Sequence, residues 1–440
     1  MRQSVLLMTM TVFGFLRRPA LHALLGQRPM YRWAWRSVFA LVAIAILADV
    51  LAGSKPLYCQ YQGQHHAPVL ESWFARQGWI SWPEEFHRNT WQDLTYTRAI
   101  FPPVPYSPGD LDLPDGQRLG PFAVQPGKSW RNRHWLGTDR LGRDVLAGMI
   151  HGTRSALLVG LFGTGLALLI GLWLGGLAGY YGDDRLRAGW MAWLSAILGV
   201  IIGLFYSMQG YSAMIRAGWA PVPAILVALA VGLGIPWCFI RLGRWMDRMA
   251  GVRPRRAPLD LMIMRGVEAV QSLPGMLLLL ALIPLFHAPS IWNIVLIVGL
   301  IRWPGFARFV RGEFLKIREM PYLEAAQLAG IPHRRILWRH AMPNAIPPIL
   351  VVAAFGISSG VLIEAFLSFL GLGVPADSVT WGTLLNQARD QFSAWWLAVF
   401  PGMGIFLTVT AFNLLGEAFQ ESLDERKPYL PARLRRSKTR

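Results

Sequence analysis

The stretch from Glu324 to Asn344 holds the residue types best suited to gripping another protein. Glu324-Ala325-Ala326 comes first, Gly330 stands four residues after Ala326, and Pro343 stands thirteen residues past Gly330. Ala325, Ala326 and Ala329 are good helix formers with little bulk, so a partner's surface can approach the backbone closely. Gly330 permits a turn that a Cβ would resist. Pro343, in His340-Ala341-Met342-Pro343-Asn344, lacks the N–H needed to extend a helix. The spacing predicts a short helix, a glycine break, a second short helix and a proline stop, forming a compact knob between apolar runs.

Other reactive side chains point to less. Glu364 lies inside an apolar run, where a carboxylate is costly and often functional. It either lines a substrate path or pairs with a basic group, or it makes a structural hydrogen bond to a neighbouring helix, the plainer reading. Glu268 and Arg265 sit near the end of another run, where snorkelling accounts for them. His65-His66 has no third ligand nearby and reads as exposed loop, so no metal site is expected. Gly127-Lys128-Ser129 resembles the end of a nucleotide-binding loop, but the required first glycine would stand where Phe122 is. No zinc-protease pattern or nucleophile elbow occurs, so no catalytic residue, cofactor or enzymatic role is expected.

What must position these residues is a membrane bundle. The chain has 440 residues, 53% hydrophobic and 15% charged, with a mean hydropathy of +0.35. Soluble domains carry roughly a quarter charged residues. Apolar runs of about 20 residues recur, long enough to cross a bilayer core, which excludes a soluble enzyme. A net charge of +18 does not indicate nucleic acid, because the basic residues lie between the apolar runs, as loops on the cytoplasmic side do. Cys59 and Cys238 occupy a polar and an apolar context and are not expected to pair. The abundant tryptophans read as interfacial anchors.

About eight runs alternate consistently with the charges. They are Ser37–Ala52, Ser155–Tyr180, Gly189–Ser207, Pro223–Ile240, Leu261–Phe286, Ile291–Val310, Ile346–Leu370 and Trp395–Gly416. Arg2, Arg17, Arg18, Arg28, Arg32 and Arg36 precede the first, placing the N-terminus in the cytoplasm. No small-residue cleavage site follows Val5 to Leu16, so an uncleaved extension is expected, with a start near Met30 as the rival reading. Arg302, Arg308, Arg311, Lys316, Arg318, Arg334, Arg335 and Arg339 mark a cytoplasmic loop, and Arg426 to Arg440 a cytoplasmic tail. The polar segment after the first run is rich in proline, so short strands and turns are expected. Seven glycines in the second run predict close packing inside a bundle.

The loop from Glu324 to Asn344 resembles the coupling loop of permease subunits in ABC importers, and its ending is similar to the dipeptide and oligopeptide branch. Trp135-Leu136-Gly137-Thr138-Asp139, Leu141 to Leu146, Leu367 to Gly373, Trp381-Gly382 and Ala411 to Gly416 match that branch in family order. Lys55-Pro56-Leu57 and Tyr61-Gln62-Gly63 resemble the subtype whose relatives import oligopeptides and microcin C. The resemblance implies an all-α polytopic membrane protein with the type I ABC importer permease fold. About six core transmembrane helices would be joined by an inserted two-helix hairpin and an extracytoplasmic insertion after the first helix. The implied divisions are a basic extension (1–36), first helix (37–52), extracytoplasmic segment (53–152), second helix (153–182), hairpin (183–258), core (259–426) with coupling loop (318–345), and tail (427–440).

The same resemblance implies function. The chain would be a non-catalytic permease subunit in a bacterial inner membrane, both termini cytoplasmic. Its partners would be a homologous second permease, two ABC ATPase subunits holding ATP and magnesium, a periplasmic peptide-binding protein and membrane lipid, with no nucleic acid. Glu324, Ala325, Ala326, Gly330, His340, Pro343 and Asn344 would couple to the ATPases, and Glu364 would line the substrate path. Nickel chelates, opines or glutathione are alternative cargoes, and a membrane-anchored receptor or scaffold is the alternative of another class.

Overall fold

The computed structural model describes residues 28–423 apart from 77–85, 87–90, 92–93, 95, 112–118, 126–128, 186, 220, 253–254, 257, 286–289, 373–374, 376–377 and 391–392. The basic tail, most of the N-terminal extension and the Gly127-Lys128 pair therefore lie outside the described residues.

Helix α1 (Pro29–Ile46) opens on a proline, whose fixed φ suits a first helical position. Tyr31 Oη and Arg28 Nη2 both donate to Glu421, at 3.0 and 2.7 Å, tying this helix to the last one. The helix breaks at Leu47 before a short α2 (Ala48–Leu51). Arg154 closes that break, donating to Ala45 O and Asp49 Oδ2, each at 2.8 Å. Three short strands follow, β1 (Tyr58–Tyr61), β2 (Gln64–His66) and β3 (Arg98–Ile100), paired antiparallel in the order β2-β1-β3. Gln62 and Gly63 both take positive φ, as a two-residue hairpin turn requires. Helix α3 (Pro68–Arg76) intervenes before β3. Burial pushes the Cys59 thiol on β1 up to about 11, which leaves it neutral and unreactive.

Helix α4 (Val145–Tyr181) begins ten residues before the expected run. Asp144 is the reason: its Oδ1 accepts from Ala147 N at 2.7 Å and caps the helix. Its Oδ2 holds the fully buried His134 at 2.8 Å, and His134 stacks on Tyr106 at 4.4 Å. Asp144→Ala removes the cap and the imidazole's carboxylate partner, an expected loss of about 2–3 kcal/mol. Thermal unfolding in detergent checks this, and an unchanged midpoint would refute it.

The unit Leu174–Glu268 contains a two-helix hairpin. Strand β4 (Arg187–Ala188) pairs with β5 (Arg255–Arg256) across its base, and α5 (Trp190–Arg216) runs antiparallel against α6 (Pro221–Met249). Asp247 of α6 accepts from Met191 N and Ala192 N at 3.3 and 3.1 Å, capping the start of α5 from across the hairpin.

The larger unit is Met1–Trp173 with Ala269–Arg440, and the run from Leu261 begins in the smaller one. The run from Leu261 is not one straight helix as expected. It is α7 (Leu259–Gln271) and α8 (Gly275–Leu282), bent by 82° where Pro274 and the residue before it disfavour helix. Then come α9 (Ile291–Arg318), α10 (Pro321–Leu328), α11 (His333–Phe369), α12 (Trp381–Arg389) and α13 (Trp396–Leu423).

Helix α11 is the central post. Val351 and Ala354 meet Leu415 and Phe419 of α13, while Leu367 joins Val159 of α4 and Ile297 and Val298 of α9. Glycines set the approach of α4 to α9. A Cβ at Gly171 would stand 2.5 Å from Phe306 Cβ, and one at Gly163 3.0 Å from Val298 Cγ1.

Among the described residues five helices are long and apolar enough to cross a membrane, α4, α5, α9, α11 and α13, and the bent pair makes six. The other two expected runs lie in α1 and α6. The chain is an all-α polytopic membrane protein with small β elements.

Candidate functional site

The segment between α9 and α11 folds as a knob on two short arms. Pro321 opens α10, and Glu324 lies in its first turn, where a carboxylate favours the helix dipole. Leu323 and Ile336, both fully buried, anchor the knob to the bundle. Glu324, Ala325, Ala329 and Gly330 are exposed, Ala326 is half-buried, and Leu328 is 89% exposed. Gly330 takes φ +73°. Gly330 N donates to Gln327 O at 3.0 Å, and Ile331 N donates to Ala326 O at 3.2 Å. Those two bonds are the glycine-terminated helix end in which the orphan carbonyls of the last turn are satisfied.

After the glycine the structure departs from expectation. Pro343 does not stop a helix. A turn of helix at His333–Ile336 passes through a π turn, Leu337–Ala341, directly into Met342–Phe369, so α11 is continuous. Met342 N bonds to Leu337 O, five residues back, and this wider turn gives the proline ring room. Asn344 Nδ2 donates to His340 O at 2.8 Å and to Tyr322 Oη at 3.0 Å, fastening α10 to α11. Tyr322 was not singled out in the sequence, because only the fold brings it to Asn344. Burial raises its hydroxyl above the usual tyrosine range, so it stays protonated and available to this bond.

Glu364 belongs to a different place. It lies twenty residues beyond Asn344 on α11, about 30 Å at 1.5 Å per residue. The side chain is 0% exposed. Ser368 Oγ, one turn along the same helix, donates to its Oε1 at 2.8 Å. The Thr380 hydroxyl lies close to the carboxyl, yet Oε2 makes no bond of hydrogen-bond geometry. Glu364 is thus enclosed within this subunit's own packing, not on an open wall. Glu364→Gln keeps the shape and the Ser368 bond, so its stability should stay within about 1 kcal/mol of the parent in thermal unfolding. A loss of several kcal/mol would mean an ionised carboxylate with a cationic partner.

Residues 240–427, which include the knob and Glu364, match the family described as binding-protein-dependent transport system inner membrane component. A glutathione transport system permease protein of Pectobacterium atrosepticum is 31% identical over 292 residues, covering 66% of this chain and 72% of that protein. The chain belongs to this family. A di/tripeptide transport system permease protein of Pseudomonas aeruginosa is 30% identical to the permease over 330 residues, 74% of this chain and 82% of that one. A dipeptide transport system permease protein of Alkalihalophilus pseudofirmus is 29% identical over 328 residues, 74% and 80%. The protein is a multi-pass membrane permease of an ABC-type transport system, one component among others that include an ATPase.

Proposed function

We propose that this permease carries short peptides inward across a bacterial inner membrane. In this reading it pairs with a homologous second permease, two ATPase subunits that hold ATP and magnesium, and a peptide-binding protein on the far side. Both termini and the knob at 319–344 lie in the cytoplasm. Glu324, Ala325, Ala326, Gly330, His340, Pro343 and Asn344 form or brace the surface that seats in an ATPase. The observation that carries the reading is the continuity of α11, which makes the second arm of the knob, from His333, one helix with a membrane span. Closure of the ATPases would therefore move the span directly, alternating access to the path. The 89% exposed Leu328 is further support, since a docked surface would cover it.

The test is reconstitution of the permease with the products of neighbouring reading frames in proteoliposomes. Peptide-loaded binding protein should raise ATP turnover and drive uptake of labelled di- and tripeptides. Permease that copurifies with no ATPase would refute the reading. The names of two relatives support peptide cargo, and that of a third supports a second reading, glutathione. Uptake of glutathione with no uptake of dipeptides or tripeptides would select it.

A further inference from the structure

The sequence places Arg302 among the basic residues of a cytoplasmic loop, but it lies inside α9, ten residues in from Trp292. Ten residues of helix are about 15 Å, half the thickness of a bilayer core. That is too deep for the snorkelling that serves arginines near helix ends. Arg302 is half-buried, and among the described residues no ion pair, hydrogen bond or aromatic ring engages its guanidinium. Arg154 shows how this bundle treats a structural arginine, with two carbonyls and a carboxylate around it. Arg302 has none of these.

The residue beside it, Ile301, lines a cavity of about 410 Å³ together with Val270, Gln271, Leu273, Gly275 and Leu278. Those residues bracket the break between α7 and α8. Irregular backbone at membrane depth is tolerated where it is enclosed in protein or lines a cavity, and broken spans commonly build transport sites. Arg302 is the next residue on that helix but does not itself line the cavity, and an unpaired guanidinium inside an apolar helix needs an anion or water.

We propose that Arg302 is an anion-binding residue of the translocation path and takes a carboxylate of the transported peptide. The planar fork of the guanidinium matches a carboxylate with two parallel hydrogen bonds. The carboxylate's class rests on the peptide reading given above. A permanent structural partner for Arg302 would instead be an acid on the second permease.

Two measurements on the assembled transporter decide between these. In proteoliposomes, uptake of trialanine is compared with uptake of trialanine amide, which lacks the terminal carboxylate. Arg302→Gln should lower trialanine uptake about tenfold or more and change amide uptake by less than about threefold, while Arg302→Lys, a point charge without the fork, restores only part of the trialanine uptake. Equal loss of both peptides, or loss of neither, overturns the proposal. In the second measurement, Arg302→Cys in the assembled complex is treated with the membrane-impermeant anion sulfonatoethyl methanethiosulfonate, with the parent chain controlling for Cys59 and Cys238. Modification beyond that of the parent supports a water-filled path at Arg302, and its absence overturns the site whatever the cargo. If the parent complex moves neither peptide, the peptide reading fails and the ligand assigned here falls with it. The thiol reaction then still reports whether the arginine stands in water.

Discussion

Gly330→Val should lower transport by the assembled system about tenfold or more while leaving the amount of inserted permease unchanged. At φ +73° a side chain with a Cβ collides with its own backbone, at a cost of about 1–2 kcal/mol that is greatest for a β-branched residue. No atom lies within 4 Å of where that Cβ would be, so crowding by neighbours adds nothing and the effect is one of backbone conformation alone. Relief of the strain requires the turn to open. Opening breaks the bonds from Gly330 N to Gln327 O and from Ile331 N to Ala326 O, and it displaces Leu328 and Ala325 from the surface they now present. Asparagine tolerates the left-handed region, so Gly330→Asn should retain most of the activity. Uptake and substrate-stimulated ATP hydrolysis measure the outcome. Normal coupling in the valine variant would count against the knob as the docking element.

Trp381→Ala should destabilise the permease by about 3–5 kcal/mol, the largest stability effect expected of a single truncation here. Trp381 is 1% exposed and stands between α4 and α13. A Cβ at Gly152 would come within 2.6 Å of its Cδ1, and one at Gly404 within 3.2 Å of Cε2, so both helices have given up side-chain volume to admit the indole. Its Nε1 donates to Met149 O at 3.0 Å. Truncation empties a space that two glycines cannot refill, and the lining loses its contacts outright. Trp381→Phe keeps most of the volume and should lose about 1–2 kcal/mol, largely the hydrogen bond. Thermal unfolding followed by size-exclusion of the detergent-solubilised protein separates these outcomes. Equal midpoints for the alanine variant and the parent would mean that the site collapses freely.

Several features were legible because they depend on neighbours in sequence. Gly330 at the end of α10 is one, since a helix followed by glycine closes through bonds spanning only six residues. The glycines of α4 are another, because small residues in an apolar run mark where helices approach. The apolar runs themselves gave the membrane class, since bilayer thickness sets their length.

Other features were not legible, and each failed for a physical reason. Pro343 read as a stop because the missing N–H is a local rule, whereas the π turn before it is an accommodation made within a packed helix. The run from Leu261 read as one span because hydropathy sums over residues and carries no record of direction. Asp144 was not read as a cap because the apolar run starts only at Ser155, eleven residues later, and its second partner His134 is brought to it by the fold. Arg302 was counted with a loop because charge alone does not record that a helix runs through it.

Composition and spacing by themselves determined that this is a helical membrane protein with a small-residue knob between spans, since transfer energies and backbone preferences act residue by residue. Only the tertiary structure decided that the second arm of the knob and a span are one helix, that Glu364 is enclosed within the subunit, and that Arg302 has no partner among the described residues. Those facts turn on which distant side chains arrive beside a residue, and the identity of such neighbours is set by helix packing.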